Sequence, residues 1–306
     1  MHERPSIASL RAAYLRGENV MALLDAGSDE PARGFAAIQT SYDLQAGSYT
    51  AAFNTPEGAR LKAAFAEALA PHVEGYDTLL DAGVGEATTL APVLERLGSR
   101  IEVYGFDASV SRLLWARRNL AAVEGGGLSQ LFVADTAEIP LQNGSIDAVL
   151  SVHSLEPNGG RETALLTELL RVAGRRLVLI EPSSIYASQN QIERMRRLGY
   201  CMDLPDVLVE LGADIALHEP WPFNSNPDNA AEIIVVDIPP PGSAGESRGN
   251  ADDALQLVAP VSLANLEVVD SGLYSRHDGL YFPVVAGFPI LTRNEAVVAT
   301  QLLDGI

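Results

Sequence analysis

The stretch that decides the fold is residues 78–95, TLLDAGVGEATTLAPVLE. An apolar run leads to Asp81, and Gly83 and Gly85 then turn the chain into a helix-like segment. Glycine lets the backbone approach a ligand where a Cβ would clash. The helix start beyond the turn offers free N–H groups and the positive end of a dipole. The pattern favours a cofactor-binding turn, although structural turns between strands and helices also use glycine.

Short apolar runs alternate with segments of helical periodicity from residue 77 to residue 182. Runs of five to seven apolar residues are typical of strands buried on both faces, and repeated βαβ units predict a parallel sheet with right-handed crossovers. The predicted strands are 78–82, 101–106, 131–135, 146–152 and 176–181, and the predicted helices between them are 87–97, 109–122 and 161–173. The fold class is therefore α/β, with a doubly wound, Rossmann-like sheet.

The alternation of predicted strands and helices changes after residue 182. A helix at 188–198 is followed by strands at 214–219 and 231–238 with no helix between them, which predicts an antiparallel hairpin at one sheet edge and seven strands in total. Helices at 5–24 and 56–70 precede the sheet. The predicted domains are a helical cap and entrance segment at 1–55, the sheet domain at 56–238, a Pro/Gly/Ser-rich linker at 239–255 and a small β-rich domain at 256–306.

Composition excludes several classes of function. The chain has 306 residues, with 21 Lys and Arg against 40 Asp and Glu, and a formal net charge of −19. Duplex nucleic acid and anionic membranes need clustered cations, so we expect neither as a partner. The single cysteine, Cys201, supplies neither an internal disulfide nor a cysteine-rich metal site, and no metal-ligand spacing is present. Without an apolar signal segment or an 18-residue apolar run, the expected compartment is the cytoplasm.

Two further carboxylates end predicted strands. Asp107 ends the second run, where an acidic side chain typically binds a ribose diol by accepting hydrogen bonds from both hydroxyls. The same residue also fits the N-cap of the helix that follows. Asp135 ends the third run, in a position to accept a hydrogen bond from a purine amine.

Four motifs in this order resemble the class I S-adenosylmethionine-dependent methyltransferases over residues 40–238. They are DAGVG at 81–85, FDAS with Asp107, ADTAEIPL with Asp135, and SIDAVLS at 145–151. A nicotinamide oxidoreductase is an alternative, but Thr88 stands where the G-x-G-x-x-G pattern has its third glycine. A non-catalytic partner of another methyltransferase is a second alternative.

The resemblance implies a site for S-adenosylmethionine, with S-adenosylhomocysteine (SAH) as the product. Asp81 would support the amino group, the two glycines would pass under the methionine moiety, and the acids at strands two and three would bind ribose and adenine. Tyr42 and Tyr49, in an entrance motif at 41–50, would cover the methionine end, or would be two ordinary core tyrosines. The implied cofactor residues are Tyr42, Tyr49, Asp81, Gly83, Gly85, Phe106, Asp107, Ala108, Asp135 and Thr136.

The resemblance places the loop after the fourth strand, 151–162, next to the transferable methyl group. His153 is a candidate general base or substrate orienter, and Glu156 is a candidate substrate ligand. Glu181 ends the fifth strand and is expected to converge with Glu156 on one pocket, where two carboxylates suit a cationic group. Asn158 is a further candidate substrate ligand. The other residues predicted to complete the pocket are Tyr186, Arg194, Tyr200, Asn224 and Asn226.

These residues predict methyl transfer to a small polar metabolite. The two candidate carboxylates favour N-methylation of a cationic amino or guanidino compound. O-methylation with His153 as the base is the alternative, and a purely structural Pro-Asn-Gly-Gly turn at 157–160 is another interpretation of the loop.

Residues 257–296 resemble a small zinc-ribbon-like family related to methyltransferase activator subunits. The matching features are Leu257 and Pro260, GLYFP at 279–283 and GFPIL at 287–291. The metal cysteines of that family would fall near Ala259, Ser262 and Ser275, none of which is cysteine. The resemblance therefore implies a ribbon-like fold without zinc, which packs on the catalytic domain or forms a homodimer contact.

Overall fold

The computed structural model describes residues 5–25, 34–98, 101–124, 126, 129–223, 226, 228–239 and 256–303. Almost all of the predicted linker at 239–255 lies outside these residues. The predicted seven-stranded sheet is confirmed, with the strand order β3-β2-β1-β4-β5-β7-β6. Its strands are β1 (Thr78–Ala82), β2 (Glu102–Asp107), β3 (Gln130–Val133), β4 (Ile146–Val152), β5 (Ala173–Pro182), β6 (Asp214–Trp221) and β7 (Ala231–Asp237).

Helices cover both faces of this sheet. They are α1 (Ile7–Leu15), α2 (Val20–Asp25), α3 (Phe35–Leu44), α4 (Ser48–Phe53), α5 (Pro56–Val73), α6 (Leu90–Leu97), α7 (Val110–Ala121), α8 (Glu162–Val172), α9 (Gln189–Leu198) and α10 (Leu204–Glu210). The single helix predicted at 5–24 is wrong, because the chain turns at Gly17, with φ +79°, and begins α2 at Val20. Pro56 opens α5 at its first turn, where its missing N–H costs nothing.

The order of the strands fixes where a ligand can bind. β1 pairs in parallel with both β2 and β4. The strands β2 and β3 are added on one side of β1, and β4 and β5 are added on its other side, so the strand order reverses between β1 and β4. β7 runs antiparallel to both β5 and β6, which confirms the predicted edge hairpin. In open α/β sheets, ligands bind beyond the carboxyl ends of the strands at such a reversal point.

The alternation of side chains along β1 builds the two halves of the core. Leu79 is fully buried in the cluster that contains Phe65 of α5 and Leu113 of α7. Its neighbour Leu80 is fully buried in the opposite cluster, which contains Leu165 of α8. Because successive strand side chains point to opposite faces, a continuous apolar run is what a strand covered on both faces requires.

A small β-rich module follows at the C-terminal end. Its strands are β8 (Glu267–Val269), β9 (Gly272–Ser275), β10 (Leu280–Phe282), β11 (Val284–Val285), β12 (Phe288–Pro289) and β13 (Val297–Val298). They form one four-stranded and one two-stranded antiparallel sheet. The module lies on the edge of the main sheet, where the Leu291 N–H donates to the Val133 carbonyl at 2.8 Å.

Two of the positions assigned to metal cysteines meet in this module. The hydroxyls of Ser262 and Ser275 both donate to Oδ2 of Asp278, at 2.6 Å each. A carboxylate with two hydroxyl donors thus links the two loops by hydrogen bonds. The likeness to a zinc ribbon stays a prediction. Within the described part of the chain, no group of three or more His, Cys, Asp or Glu side chains is placed to hold a metal ion, and no helix is long and apolar enough to span a membrane.

Candidate active site

A cavity of about 420 Å³ opens beyond the carboxyl ends of β1, β2, β3 and β4, beneath α3 and α4. It lies at the reversal point of the sheet. All ten residues of the predicted cofactor site except Gly85 line it. These nine are Tyr42, Tyr49, Asp81, Gly83, Phe106, Asp107, Ala108, Asp135 and Thr136.

The glycine turn forms the floor of the cavity. Gly83 and Gly85 have φ of +77° and +56°, a region that side chains disfavour. The Gly83 N–H donates to the Phe106 carbonyl at 2.9 Å, and the Gly85 N–H donates to Oδ2 of Asp107 at 3.0 Å. A Cβ on Gly83 would lie 2.3 Å from the Cβ of Ser154. The turn therefore needs glycine both for its backbone angles and for the close approach of the β4 loop.

Asp81 and Asp107 stand side by side above the turn. Burial, and then the negative charge of Asp107, raise the pKa of Asp81 to about 7. The Asp81 side chain has no hydrogen-bond partner among the described residues, while Asp107 also accepts from the Ser109 N–H at 2.9 Å. Ser109 caps α7 through its own hydroxyl, so the alternative interpretation of Asp107 as the N-cap is wrong.

Asp135 lies on the far side of the cavity, after β3. Its Oδ2 accepts from Arg161 Nη2 at 2.7 Å, and its Oδ1 accepts from the Ala137 N–H at 3.0 Å. Phe106 stacks at a tilt on Phe132, with 5.7 Å between the ring centroids. An apolar ring beside a fixed carboxylate is a fitting environment for a purine with an exocyclic amine.

The entrance segment closes one side of the cavity and is fastened by a carboxylate that the sequence analysis did not single out. Glu86 is 1% exposed, and its carboxylate accepts from the backbone N–H groups of Gly47, Tyr49 and Thr50 at 2.9, 3.3 and 2.7 Å. These groups belong to the first turn of α4, where N–H groups lack helical partners. Tyr49 is 37% exposed, so it is not a core tyrosine.

His153 and Glu156, which follow β4, also line the cavity. His153 has φ +50°, and its ring meets Phe65 edge-on with 6.5 Å between centroids. Burial lowers the pKa of His153 to about 4, so its imidazole is neutral at pH 7. Burial raises the pKa of Glu156 to about 7, against the opposing effects of Arg194 and Tyr200. The His153 Nδ1 and Glu156 Oε2 atoms are 3.9 Å apart.

Residues 79–175 match the family model of a methyltransferase domain. Within these residues the chain carries a methyltransferase domain. The match runs from β1 into β5 and contains the glycine turn and all three carboxylates, Asp81, Asp107 and Asp135. The protein is accordingly an enzyme of the methyltransferase class.

Solved structures share the fold of this methyltransferase domain. Magnesium protoporphyrin IX methyltransferase from Synechocystis PCC 6803, solved with bound SAH, is 15% identical, with a TM-score of 0.52 over 67% of this chain and 99% of that chain. The [4+2]-cyclase SpnF is 16% identical, with a TM-score of 0.54 over 70% of this chain and 100% of that chain. At these identities the likeness shows the fold alone. No curated protein matches the sequence.

The expected convergence of Glu181 and Glu156 on one pocket is wrong. Glu181 is fully buried and does not line the cavity of the methyltransferase domain. Its Oε1 accepts from the Ser151 hydroxyl and from the N–H groups of Ser154 and Leu155, at 2.8, 3.0 and 3.2 Å. The carboxyl group of Glu181 therefore holds the β4 loop from below instead of meeting a substrate.

The other predicted substrate residues divide into two groups. Asn158 and Asn226 line the cavity, as does Tyr200. Tyr186 does not line it but lies outside, with its ring centroid 5.5 Å from that of His218. Asn224 lies outside the described residues.

Several residues of this cavity were not predicted from the sequence, among them the polar residues Glu86, Arg112 and Asn229. Glu86 directly follows the glycine turn, so its place in the motif was a usable signal. Arg112 sits in the first turn of α7, where only the three-dimensional approach of the side chain to the turn reveals its role.

Proposed function

We propose that the enzyme transfers the methyl group of S-adenosylmethionine to a nitrogen of a small polar metabolite, with Glu156 as the group that receives the substrate amine. One observation carries the proposal. One cavity is lined both by Asp81, Asp107 and Asp135, the acids assigned here to the cofactor, and by the buried Glu156 beside a neutral His153.

The residues of the chain fit the cofactor. Asp81 has a carboxylate without a hydrogen-bond partner that faces the cavity, which suits the ammonium group of the methionine moiety. Asp107 and Asp135 offer acceptors at the ends of the next two strands, where ribose hydroxyls and a purine amine would lie. The cofactor supplies an activated methyl group on a sulfonium.

The protein has three tasks in this reaction. It aligns the nucleophile with the methyl carbon, excludes water and accepts one proton. An ammonium substrate must lose a proton before its nitrogen lone pair attacks, and Glu156 is suited to take it, because a pKa near 7 lets the carboxylate both bind the cation and hold the proton. The Tyr200 and Asn226 side chains, also in the lining, are available to orient the polar substrate.

O-methylation is the second candidate, and the neutral imidazole of His153 favours it. A hydroxyl nucleophile gives up its proton as it attacks, and an uncharged imidazole accepts it directly. In that case Glu156, 3.9 Å from the ring, would stabilise the imidazolium that forms.

Two measurements test the proposal. Calorimetry should show SAH binding to the full chain, while NAD, the cofactor of the oxidoreductase alternative, should not bind. Incubation with methyl-deuterated S-adenosylmethionine and a panel of small amines and alcohols should then give a labelled product detected by mass spectrometry. SAH binding without any labelled product from either class would contradict the proposed substrate class, and a label on oxygen would select the second candidate.

The pH dependence of turnover is a prediction of its own. Because the pKa of Glu156 is about 7, kcat should rise as the pH increases through 7 and the carboxylate ionises. Glu156→Gln should lower kcat by about 100-fold, as expected for loss of a general base, and should remove this rise. Glu193→Gln, at an exposed carboxylate of α9, is the control and should keep the wild-type profile. An unchanged profile in Glu156→Gln would show that another group controls the rise.

A further inference from the structure

Arg112 places a positive charge in a cavity whose charged lining is otherwise acidic. Among the described residues that line the cavity, it is the only Lys or Arg, whereas the acidic ones are Asp81, Glu86, Asp107, Asp135 and Glu156. Its side chain is 13% exposed. A cation in such a place is costly unless an anion is paired with it.

The anion that Arg112 now faces is a poor partner. Its Nη1 lies 3.5 Å from Oδ2 of Asp107, an oxygen that already accepts from the Gly85 N–H. Its Nε is buried and has no hydrogen-bond partner. A guanidinium carries five N–H donors in a fork that matches a carboxylate, and here the fork is left open.

The groups around the guanidinium of Arg112 leave a site that suits a planar anion. The rings of Tyr42 and Tyr49 lie 5.1 and 4.9 Å from the Arg112 Cζ atom, so aromatic rings of the entrance segment contact the group. A Cβ on Gly85 would lie 2.4 Å from Nη2, which places the guanidinium directly over the glycine turn. Arg112 thus reaches the part of the cavity that the resemblance gives to the methionine moiety.

We propose that Arg112 is a ligand-binding residue of the enzyme that receives a carboxylate at the glycine turn, between the two tyrosines of the entrance segment. This inference rests on the proposed function. The cofactor carries one such group, the α-carboxylate of its methionine moiety, and a substrate carboxylate is the other source. With the cofactor carboxylate at Arg112 and its ammonium at Asp81, both charged ends of the amino acid are paired.

The hydrogen bonds of the entrance segment also place its two tyrosines against the charge of Arg112. Glu86 fastens the start of α4, and Asp43, at the end of α3, accepts from the Ser109 and Ser111 hydroxyls at 2.7 and 3.0 Å. The two tyrosines therefore approach Arg112 from a segment that is anchored next to each of them. A carboxylate bound to Arg112 would be enclosed by that segment, which excludes water from the charged pair and strengthens it.

The test compares two ligands that share an adenosine but differ in the amino acid. SAH carries the α-carboxylate, and 5′-methylthioadenosine lacks the whole amino-acid portion. Arg112→Gln should weaken SAH binding by about 10- to 100-fold, the factor expected for a lost hydrogen bond to a charged group, and should change the Kd of 5′-methylthioadenosine by less than about twofold. Arg118→Gln, at an exposed arginine of the same helix, is the matched control and should bind both ligands like the wild type.

The possible outcomes distinguish a cofactor carboxylate from a substrate carboxylate, and a failure of this inference from a failure of the proposed function. A raised KM for a carboxylate-bearing substrate, with SAH binding unchanged, would keep the anion site and assign it to the substrate. Equal losses for both ligands, or no loss for SAH or any substrate, would overturn the assignment. If the wild type binds neither ligand while its thermal unfolding is normal, it is the proposed function that fails, and this inference falls with it.

Discussion

Gly83→Ala is expected to abolish measurable SAH binding and to lower the melting temperature by several degrees. Two costs add at this position. An alanine at φ +77° costs about 1–2 kcal/mol of backbone strain. The new methyl group would also lie 2.3 Å from the Cβ and 2.8 Å from the Oγ of Ser154, far inside contact distance.

Ser154 cannot move away cheaply. Its hydroxyl donates to the Ala82 carbonyl at 2.8 Å, and its N–H donates to Glu181 Oε1 at 3.0 Å. Relief of the clash must therefore displace either the glycine turn or the loop that carries His153 and Glu156. Either movement distorts the cavity that we propose as the cofactor site.

Two further variants separate the clash from the strain. Gly75→Ala is the matched control, because Gly75 has φ +81° but a Cβ there would meet nothing within 4 Å. It should lose stability and keep SAH affinity. Ser154→Gly in the Gly83→Ala background removes the clashing Cβ and should restore part of the SAH binding. If Gly83→Ala binds SAH like the wild type, the assignment of the turn to the cofactor is wrong.

Glu181→Ala is expected to have the largest effect on stability, with a loss of about 3–5 kcal/mol in the free energy of unfolding. The change leaves the buried N–H groups of Ser154 and Leu155 without an acceptor, at about 1–3 kcal/mol each, and it opens a void beneath the β4 loop. Thermal or urea unfolding measures the loss. Glu219→Ala, at an exposed glutamate of β6, is the control and should change stability by less than about 0.5 kcal/mol.

Glu181→Gln isolates the charge of the same side chain. Burial raises the pKa of Glu181 to about 8, so folding favours its neutral form. The stability that this group contributes is complete below about pH 4.5 and is lost as the pH rises to about 8. The glutamine variant does not ionise, so its stability should gain on the wild type across this window. A difference between the two that does not vary with pH would contradict the raised pKa.

The sheet was predictable from sequence because its signals are local. The buried strands are largely apolar runs, and two successive strands with no helix between them, as at 214–238, favour an antiparallel hairpin. The N-terminal helices were less accessible, since apolar periodicity passes through Gly17 without showing that the chain turns there. The short helix α10 has Pro205 in its first turn and was not predicted at all.

In the candidate site, too, the residues with a local sequence signal were predicted and those placed by tertiary packing were not. Residues at strand tips, such as Asp81 and Asp107, were found because the carboxyl ends of parallel strands meet at one edge. Glu181 obeys that same rule and yet points beneath the loop, because the β4 loop folds over it and supplies three donors. Packing decides on which side of a loop a carboxylate lies, and the sequence of the strand alone does not contain that information. Arg112 was missed for a related reason, since a helix residue reveals its target only in three dimensions.

The C-terminal module covers the end of β3, which is one of the two edge strands of the main sheet. An open sheet has two edges, and an unpaired edge strand is a template for a strand of another copy. At one edge, β6 carries Asp214, Glu219 and Pro220, residues that discourage such pairing. At the other edge, Ile290 bridges to Val133, and the next residue donates to the Val133 carbonyl. The module thus partners the end of an edge strand, and its removal is expected to expose backbone groups of β3 to pairing with another chain.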